Sequence, residues 1–220
     1  MRVLAFVSPQ CGRALDIAAL LGEPVALAVA ADDSVFASLS LDPAIERIRV
    51  WDEALDPSAL HAMDVEARQA AVVAQAARRL GTAVVVLTDS LTGFLGAAVA
   101  EQLNLAHVSE VVSAKRVAGA EDEPLLQVRR RGLRSVQVLC GAAQAVLSVL
   151  PPLPSDTSRP HDVTDQPKPT VWSLQDVSLS AADLPMPQLQ ILSKSVRRHR
   201  PRLFIGAEAL VDRLRRDGLE

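Results

Sequence analysis

The stretch TDSLTGF, residues 88–94, places hydroxyl and carboxylate side chains between an apolar run and a helical pattern. Thr92 and Gly93 fall where the helix is predicted to begin. Backbone N–H groups at a helix start lack partners within the helix and sit at its positive end, so they favour an anion. Gly93 has no Cβ and permits close approach, and Ser90 and Thr92 offer hydroxyl donors. This turn therefore has the chemistry of a phosphate site.

The same turn has a second interpretation. Asp89, Ser90 and Thr92 are also the residue types that cap a helix by accepting from its first N–H groups. Asp89 would repel a phosphate unless it faced a ribose. The chain has no Walker lysine and no GxGxxG motif at this turn. Ligand binding and self-capping both remain open from the residues alone.

The elements that position this turn follow an alternating pattern. Apolar runs at Arg2–Val7, Pro24–Ala30 and Ala83–Leu87 predict buried strands, and helical patterns lie at Cys11–Leu21 and Thr92–Leu103. Such alternation indicates a parallel sheet with crossover helices. Ligands of these sheets bind beyond the carboxyl ends of the strands, so three strand ends should converge there. The predicted cofactor-binding residues at this edge are Val7, Ser8, Ala30, Asp89, Ser90, Thr92, Gly93 and Phe94.

The second half of the chain has a different pattern. His107–Val117 and Leu125–Arg130 alternate around a turn, which predicts an antiparallel hairpin. Ser135–Cys140 and Ala145–Val149 are short apolar strands. We expect Cys140, within one of them, to be a buried structural residue.

The composition of the chain also suggests its domain organisation. We predict an α/β nucleotide-binding-type domain at residues 1–150 and a C-terminal arm at 170–220. Residues 151–169, which join them, contain six of the chain's 14 prolines and no periodicity, as is typical of an exposed loop. The basic stretches RRRG (129–132) and VRRHRPR (196–202) are either partner-binding or simply solvated.

Charge and composition disfavour several classes of function. The net charge is −3, and aromatic residues make up only 3%, which disfavours a nucleic-acid binder. Two cysteines and four scattered histidines predict neither a disulfide framework nor a metal site. No apolar run approaches the roughly 18–20 residues that span a bilayer, so we expect no membrane insertion. We expect a cytoplasmic protein.

Four segments occur in the order found in one known family. They are TDSLTG (88–93) with AAVAEQLNLAHVSEV (97–111), RRRGLRSVQVLCGAAQAVLSV (129–149), KPTVWSLQDVSLSAADL (168–184) and RRHRPRLFIGAEALVDRLRRDGLE (197–220). Together they resemble the β subunit of electron transfer flavoproteins over nearly the whole chain. The family has Asp-Asp-x-x-Gln-Thr-Gly at the first segment, where this chain has Thr88 in place of the first Asp and Leu91 in place of Gln.

The resemblance carries expectations about fold and function. It implies a flavodoxin-like fold of the adenine nucleotide alpha hydrolase type: a mostly parallel sheet with helices on both faces, an antiparallel hairpin and a C-terminal arm. It also implies a heterodimer with an α subunit that holds the redox FAD, while this chain binds AMP or a second FAD and is not catalytic alone. Dehydrogenases or quinone reductases would be its redox partners. The alternatives are a degenerate scaffold subunit and a universal-stress-type nucleotide-binding module.

Overall fold

The computed structural model describes nine stretches of chain: residues 1–8, 12–31, 34–37, 42–57, 62–88, 94–119, 123–132, 135–150 and 167–185. The chain divides into two compact units, Met1–Pro187 and Gln188–Glu220, and every described residue belongs to the first. Most of the predicted proline-rich loop (151–166) and residues 186–220 of the predicted arm lie outside the described residues.

The described residues form nine strands and four α-helices. The strands are β1 (Arg2–Phe6), β2 (Glu23–Val29), β3 (Glu46–Val50), β4 (Val84–Thr88), β5 (Ala106–Ala118), β6 (Pro124–Arg131), β7 (Val136–Ala142), β8 (Ala145–Val149) and β9 (Thr170–Trp172). The helices are α1 (Gly12–Leu21), α2 (Ser34–Ala37), α3 (Ala62–Leu80) and α4 (Phe94–Leu103). Three short 3₁₀ turns lie at Glu53–Leu55, Gln175–Val177 and Ala181–Asp183.

All nine strands belong to one sheet, in the order β7-β6-β5-β8-β4-β1-β2-β3-β9. Six of the eight pairings between described strands are parallel, and only β5–β6 and β6–β7 are antiparallel. The predicted mostly parallel α/β sheet with an antiparallel hairpin is therefore confirmed. The parallel addition of β9 beside β3 was not anticipated by the sequence pattern.

The centre of the sheet is apolar on both faces because helices cover it from both sides. Val84, Val85, Val86 and Leu87 of β4 are all fully buried. On one face, strands β1, β2, β4 and β8 pack against α1 and α2. On the other face, they pack against α3 and α4. This confirms the predicted helices on both faces.

The residues at the end of α3 favour a helix C-terminus. Arg78 and Arg79 lie in its last turn, where cations interact favourably with the negative end of the helix dipole. Gly81 follows with φ +64°, the left-handed conformation that glycine adopts without steric cost. Local sequence therefore accounts for where this helix ends.

Strand β7 is exposed along its whole length, in contrast to the central strands. Val136 and Val138 are 51% and 56% exposed. Cys140 is also exposed, so the expectation that it is a buried structural residue was wrong. An apolar strand is buried only when other elements cover it, and β7 is the last strand of the sheet.

At the opposite edge, the chain that follows β9 packs on the α3 face of the sheet. We call residues 173–185, which follow β9, the strap. Leu174, Val177 and Leu184 of the strap are at most 3% exposed and join the core on the α3 face. Thus residues 170–185, assigned by sequence to the C-terminal arm, supply a strand and a covering segment to the first unit.

Arg47 of β3 anchors the chain where it returns to this edge. Its side chain is 4% exposed, and its guanidinium donates to the carbonyls of Pro167 (3.0 Å) and Asp42 (3.4 Å). Its Nε is buried without a hydrogen-bond partner among the described residues. Burial lowers the pKa of Arg47 from its ordinary value, because desolvation disfavours the charged form.

Within the described residues, no helix has both the length and the apolar character needed to cross a lipid bilayer.

Candidate functional site

The topology defines one place where a ligand crevice is expected. Strand β1 lies between β4 and β2; the connection after β1 leads to β2 on one side, and the connection after β4 leads to β5 on the other side. The helix after β1 packs on one face of the sheet, while the helix after β4 packs on the other. The carboxyl ends of β1 and β4 therefore form a topological switch point, where a ligand crevice is expected.

The predicted site residues from β1 and β2 lie at this edge. Val7 is 1% exposed, and its N–H donates to the Leu27 carbonyl at 2.8 Å, so it continues the strand. Ser8, the next residue, is half-buried. Ala30 donates to the Val50 carbonyl at 3.0 Å and has φ +53°, a left-handed conformation that is unfavourable for alanine. Thus the chain turns sharply where β2 meets the ligand edge.

The predicted phosphate turn itself is not described. Asp89, Ser90, Thr92 and Gly93 lie outside the described residues, so their binding role stays a prediction. Phe94, also predicted to contact a cofactor, is the first residue of α4 and is 38% exposed.

Thr88 is a further residue at the ligand edge, and it was not among the predicted cofactor contacts. It is the last residue of β4, and the registers of β1 and β4 place it beside the end of β1. Its Oγ1 is buried and has no hydrogen-bond partner among the described residues. An unsatisfied buried hydroxyl is costly, and a ligand oxygen at the crevice would satisfy it. The described part of the edge therefore offers one buried hydroxyl to a polar ligand atom.

The position of α4 is set by a close contact with the sheet. A Cβ on Gly96 would overlap Ser148 Oγ and lie 2.6 Å from His107 Nε2. These two side chains are themselves 2.8 Å apart, on neighbouring strands β8 and β5. Glycine is thus required for α4 to approach the sheet, and this approach fixes where the first turn of α4 lies.

The Ser148–His107 pair has the residue types of a nucleophile and its base. However, Ser148 is only 1% exposed and lies beneath α4 at Gly96. A substrate would have to displace the helix to reach it. We therefore assign the pair a packing role that supports α4.

A separate depression of about 430 Å³ lies on the outer side of the helices, between α3, α4 and the strap. Its polar lining includes Gln75, Gln102 and Asp183. Gln102 is near the carboxyl end of α4, opposite the end that begins with Phe94. This depression is therefore distinct from the switch-point crevice.

Asp183, which lines this depression, and Asp176 are both held by hydrogen bonds within the strap. Hydrogen bonds from the Ser180 hydroxyl and N–H lower the pKa of Asp183. Backbone and side-chain hydrogen bonds from Ser173 likewise lower the pKa of Asp176, with a smaller contribution from the positive charge of Arg79. Both carboxylates stabilise local turns.

A second candidate surface is the outer face of strands β5, β6 and β7. The strand registers align Ser113, Arg129 and Val138 in one row across this face. Lys115, Gln127 and Cys140 form the next row. The face thus combines exposed aliphatic side chains on β7 with cations on β5 and β6. Sequence reasoning missed it because VQVLCGA resembles any buried strand.

Two of the three arginines of the RRRG stretch make side-chain contacts within the same sheet. Arg130 Nε donates to Gln137 Oε1 at 2.9 Å, and Arg131 Nε lies 3.3 Å from Glu110 Oε2. Arg129 is exposed on the outer face. These arginines form the cationic part of the sheet and do not gather at the switch point.

No protein-family model matches this chain, and no curated protein matches it either.

Proposed function

We propose that this chain is an electron transfer flavoprotein β-like subunit. It pairs with an α subunit that holds the redox FAD, and the pair carries electrons between a dehydrogenase or quinone reductase and its counterpart. The bound FAD supplies the redox chemistry. This chain supplies a rigid sheet, a nucleotide edge and a docking surface.

The observation that carries this proposal is the exposed antiparallel strand β7. Its valines are more than half exposed, and it contains no charged residue. An exposed apolar edge strand favours aggregation unless a partner covers it. A chain that functions as one subunit of a complex has such a partner in the other subunit. The unsatisfied Thr88 hydroxyl at the switch point further supports AMP, or a second FAD, as a ligand of this chain.

The test is co-expression of the full chain with the product of the neighbouring gene, followed by purification and an absorbance spectrum. We expect the two chains to co-purify at a one-to-one ratio with a flavin spectrum. Two separate colourless proteins, or a complex without flavin, would contradict the electron-transfer function.

The nucleotide edge is tested separately with a glycine substitution. Gly96→Ala forces α4 away from Ser148 and His107 and displaces its first turn, so we expect the purified protein to lose bound nucleotide. Gly141→Ala is the matched control, because a Cβ there meets no atom within 4 Å. Nucleotide released by denaturation is quantified for both variants. Equal AMP or FAD in the two would reject the switch point as the binding site.

A further inference from the structure

The free edge of β7 is long enough to receive another strand. Among the described strands, β7 pairs only with β6. Its seven residues span about 23 Å, at roughly 3.4 Å per residue. Proteins usually protect such an edge with charged side chains, proline or a bulge, and VQVLCGA contains no charge and no proline.

Both faces of β7 are open to a partner. Val136 and Val138 project from the outer face, while Leu139 projects from the other face and is 39% exposed. A helix laid on one face would leave the other exposed. A strand added at the edge extends both faces at once, and it also satisfies the backbone groups of β7.

The charge of this sheet indicates the partner's chemistry. Strands β5, β6 and β7 contain five basic residues and one acidic residue, in a chain whose net charge is −3. Arg129, Arg131 and Lys115 are on the outer face. An added strand would lie about 5 Å beyond β7 and about 10 Å from β6, within the combined reach of an arginine and a glutamate.

We propose that β7 receives an extended partner strand that presents both apolar and acidic side chains on the outer face of the sheet, at every second position along the strand. The apolar side chains pack beside Val136 and Val138, and the acidic ones face Arg129, Arg131 and Lys115. A second copy of this chain does not have the required acidic side chains on its β7. Pairing through its own β7 would bring the cations of its β5 and β6 toward those of the first copy. Nucleic acid is disfavoured because these three strands contain no aromatic residue on which bases could stack.

This inference rests on the proposed function only for the partner's identity, and its test does not require the α subunit. The full chain is titrated with the eight-residue glutamate peptide Val-Thr-Glu-Thr-Val-Thr-Glu-Thr, whose valines and glutamates lie on one face of a strand, and with its counterpart that has lysine in place of glutamate. We expect the glutamate peptide alone to slow amide hydrogen exchange in residues 136–142 by about tenfold or more. Exchange at β9, the other edge, should not change.

The charge contribution is tested with two matched arginines. Arg129→Glu reverses a cation on the outer face and should weaken glutamate-peptide binding by about tenfold. Arg116→Glu is the control, because Arg116 is equally exposed in the same sheet but is aligned with the buried Leu126 on the inner face. Binding to the wild-type chain should also weaken as salt rises.

Three results would overturn the proposal. One is equal binding of the two peptides, and another is glutamate-peptide binding without protection of β7. The third is a preference for anionic vesicles or an oligonucleotide over the peptide, with β7 still exchanging freely. A yellow heterodimer combined with any of these would leave the proposed function standing and reject only the strand addition.

Discussion

The two edges of the sheet are finished in different ways. At the β9 edge, a three-residue strand is followed directly by the strap, which buries Leu174, Val177 and Leu184. At the β7 edge, a seven-residue apolar strand has no covering segment among the described residues. Among the residues that the structure describes, the same sheet has one edge strand with a covering segment beside it and one without, so the lack of such a segment at β7 is not a general property of this sheet. The segment after β9 thus packs into the core of its own chain, whereas β7, uncovered in the described part of the chain, supports our proposal that a partner binds at that edge.

The largest effect is expected where the chain closes its own edge. Arg47→Ala removes a buried guanidinium that donates to the carbonyls of Pro167 and Asp42. We expect the free energy of unfolding to fall by about 3 kcal/mol, because hydrogen bonds to a buried charge are lost and a void remains. Chemical denaturation measures this change.

The matched variant at the other edge is Arg129→Ala. Arg129 is exposed, and the free energy of unfolding should change by less than about 0.5 kcal/mol. If the two alanine variants are equally stable, Arg47 does not hold the β9 edge, and the contrast between the edges loses its structural basis.

The second prediction compares two exposed valines on the two edge strands. Val138 of β7 is 56% exposed, and Val171 of β9 is 60% exposed. Val138→Lys should weaken assembly with the α subunit by about 30-fold, as expected for a charge placed at the centre of an apolar contact. Val171→Lys should leave assembly within about twofold, and neither change should alter stability by more than about 0.5 kcal/mol.

Titration of labelled chain with the α subunit gives both affinities. Similar losses for the two variants would mean that the edges are equivalent in the complex. No loss for Val138→Lys would place the interface elsewhere on the chain.

The contrast between the edges also shows what the sequence could predict. The run Ala83–Leu87 predicted a buried strand, observed at Val84–Thr88, because a run of β-branched residues fits a sheet that is covered on both faces. The alternation of strands and helices was enough to predict that the carboxyl ends of the parallel strands converge, and the structure places Ser8 and Thr88 at neighbouring strand ends there. Periodicity therefore predicted the centre of the sheet.

Sequence periodicity could not predict the structure of either edge. TVW at β9 is too short for a pattern, and its pairing with β3 depends on contacts 120 positions away in the sequence, such as Arg47 with Pro167. The apolar composition of β7 predicts a strand but cannot say whether anything covers it. Likewise, the unsatisfied Thr88 hydroxyl follows from burial in the folded chain, which no local pattern encodes.

The smallest expected effect is a difference between the two edges in how their local stability depends on pH. Hydrogen bonds from Ser173 and Ser180 lower the pKa values of Asp176 and Asp183 in the folded strap. A carboxyl whose pKa is lower when folded contributes its full stability above the unfolded value of about 3.9 and loses it as the pH falls through the folded value. The strap should therefore loosen below about pH 4, whereas β7 has no acidic side chain to respond.

Amide exchange, corrected for its intrinsic pH dependence, measures this at pH 6 and pH 3 for residues 174–184 and 136–142. We expect protection of the strap to fall relative to β4, by less than either substitution effect above because both carboxylates are solvent-exposed. The double variant Asp176→Asn and Asp183→Asn cannot lose a carboxylate and should show no such fall. If the double variant loosens in acid as the wild type does, these carboxylates are not what holds the strap, and closure of the β9 edge rests on its apolar residues and Arg47 alone.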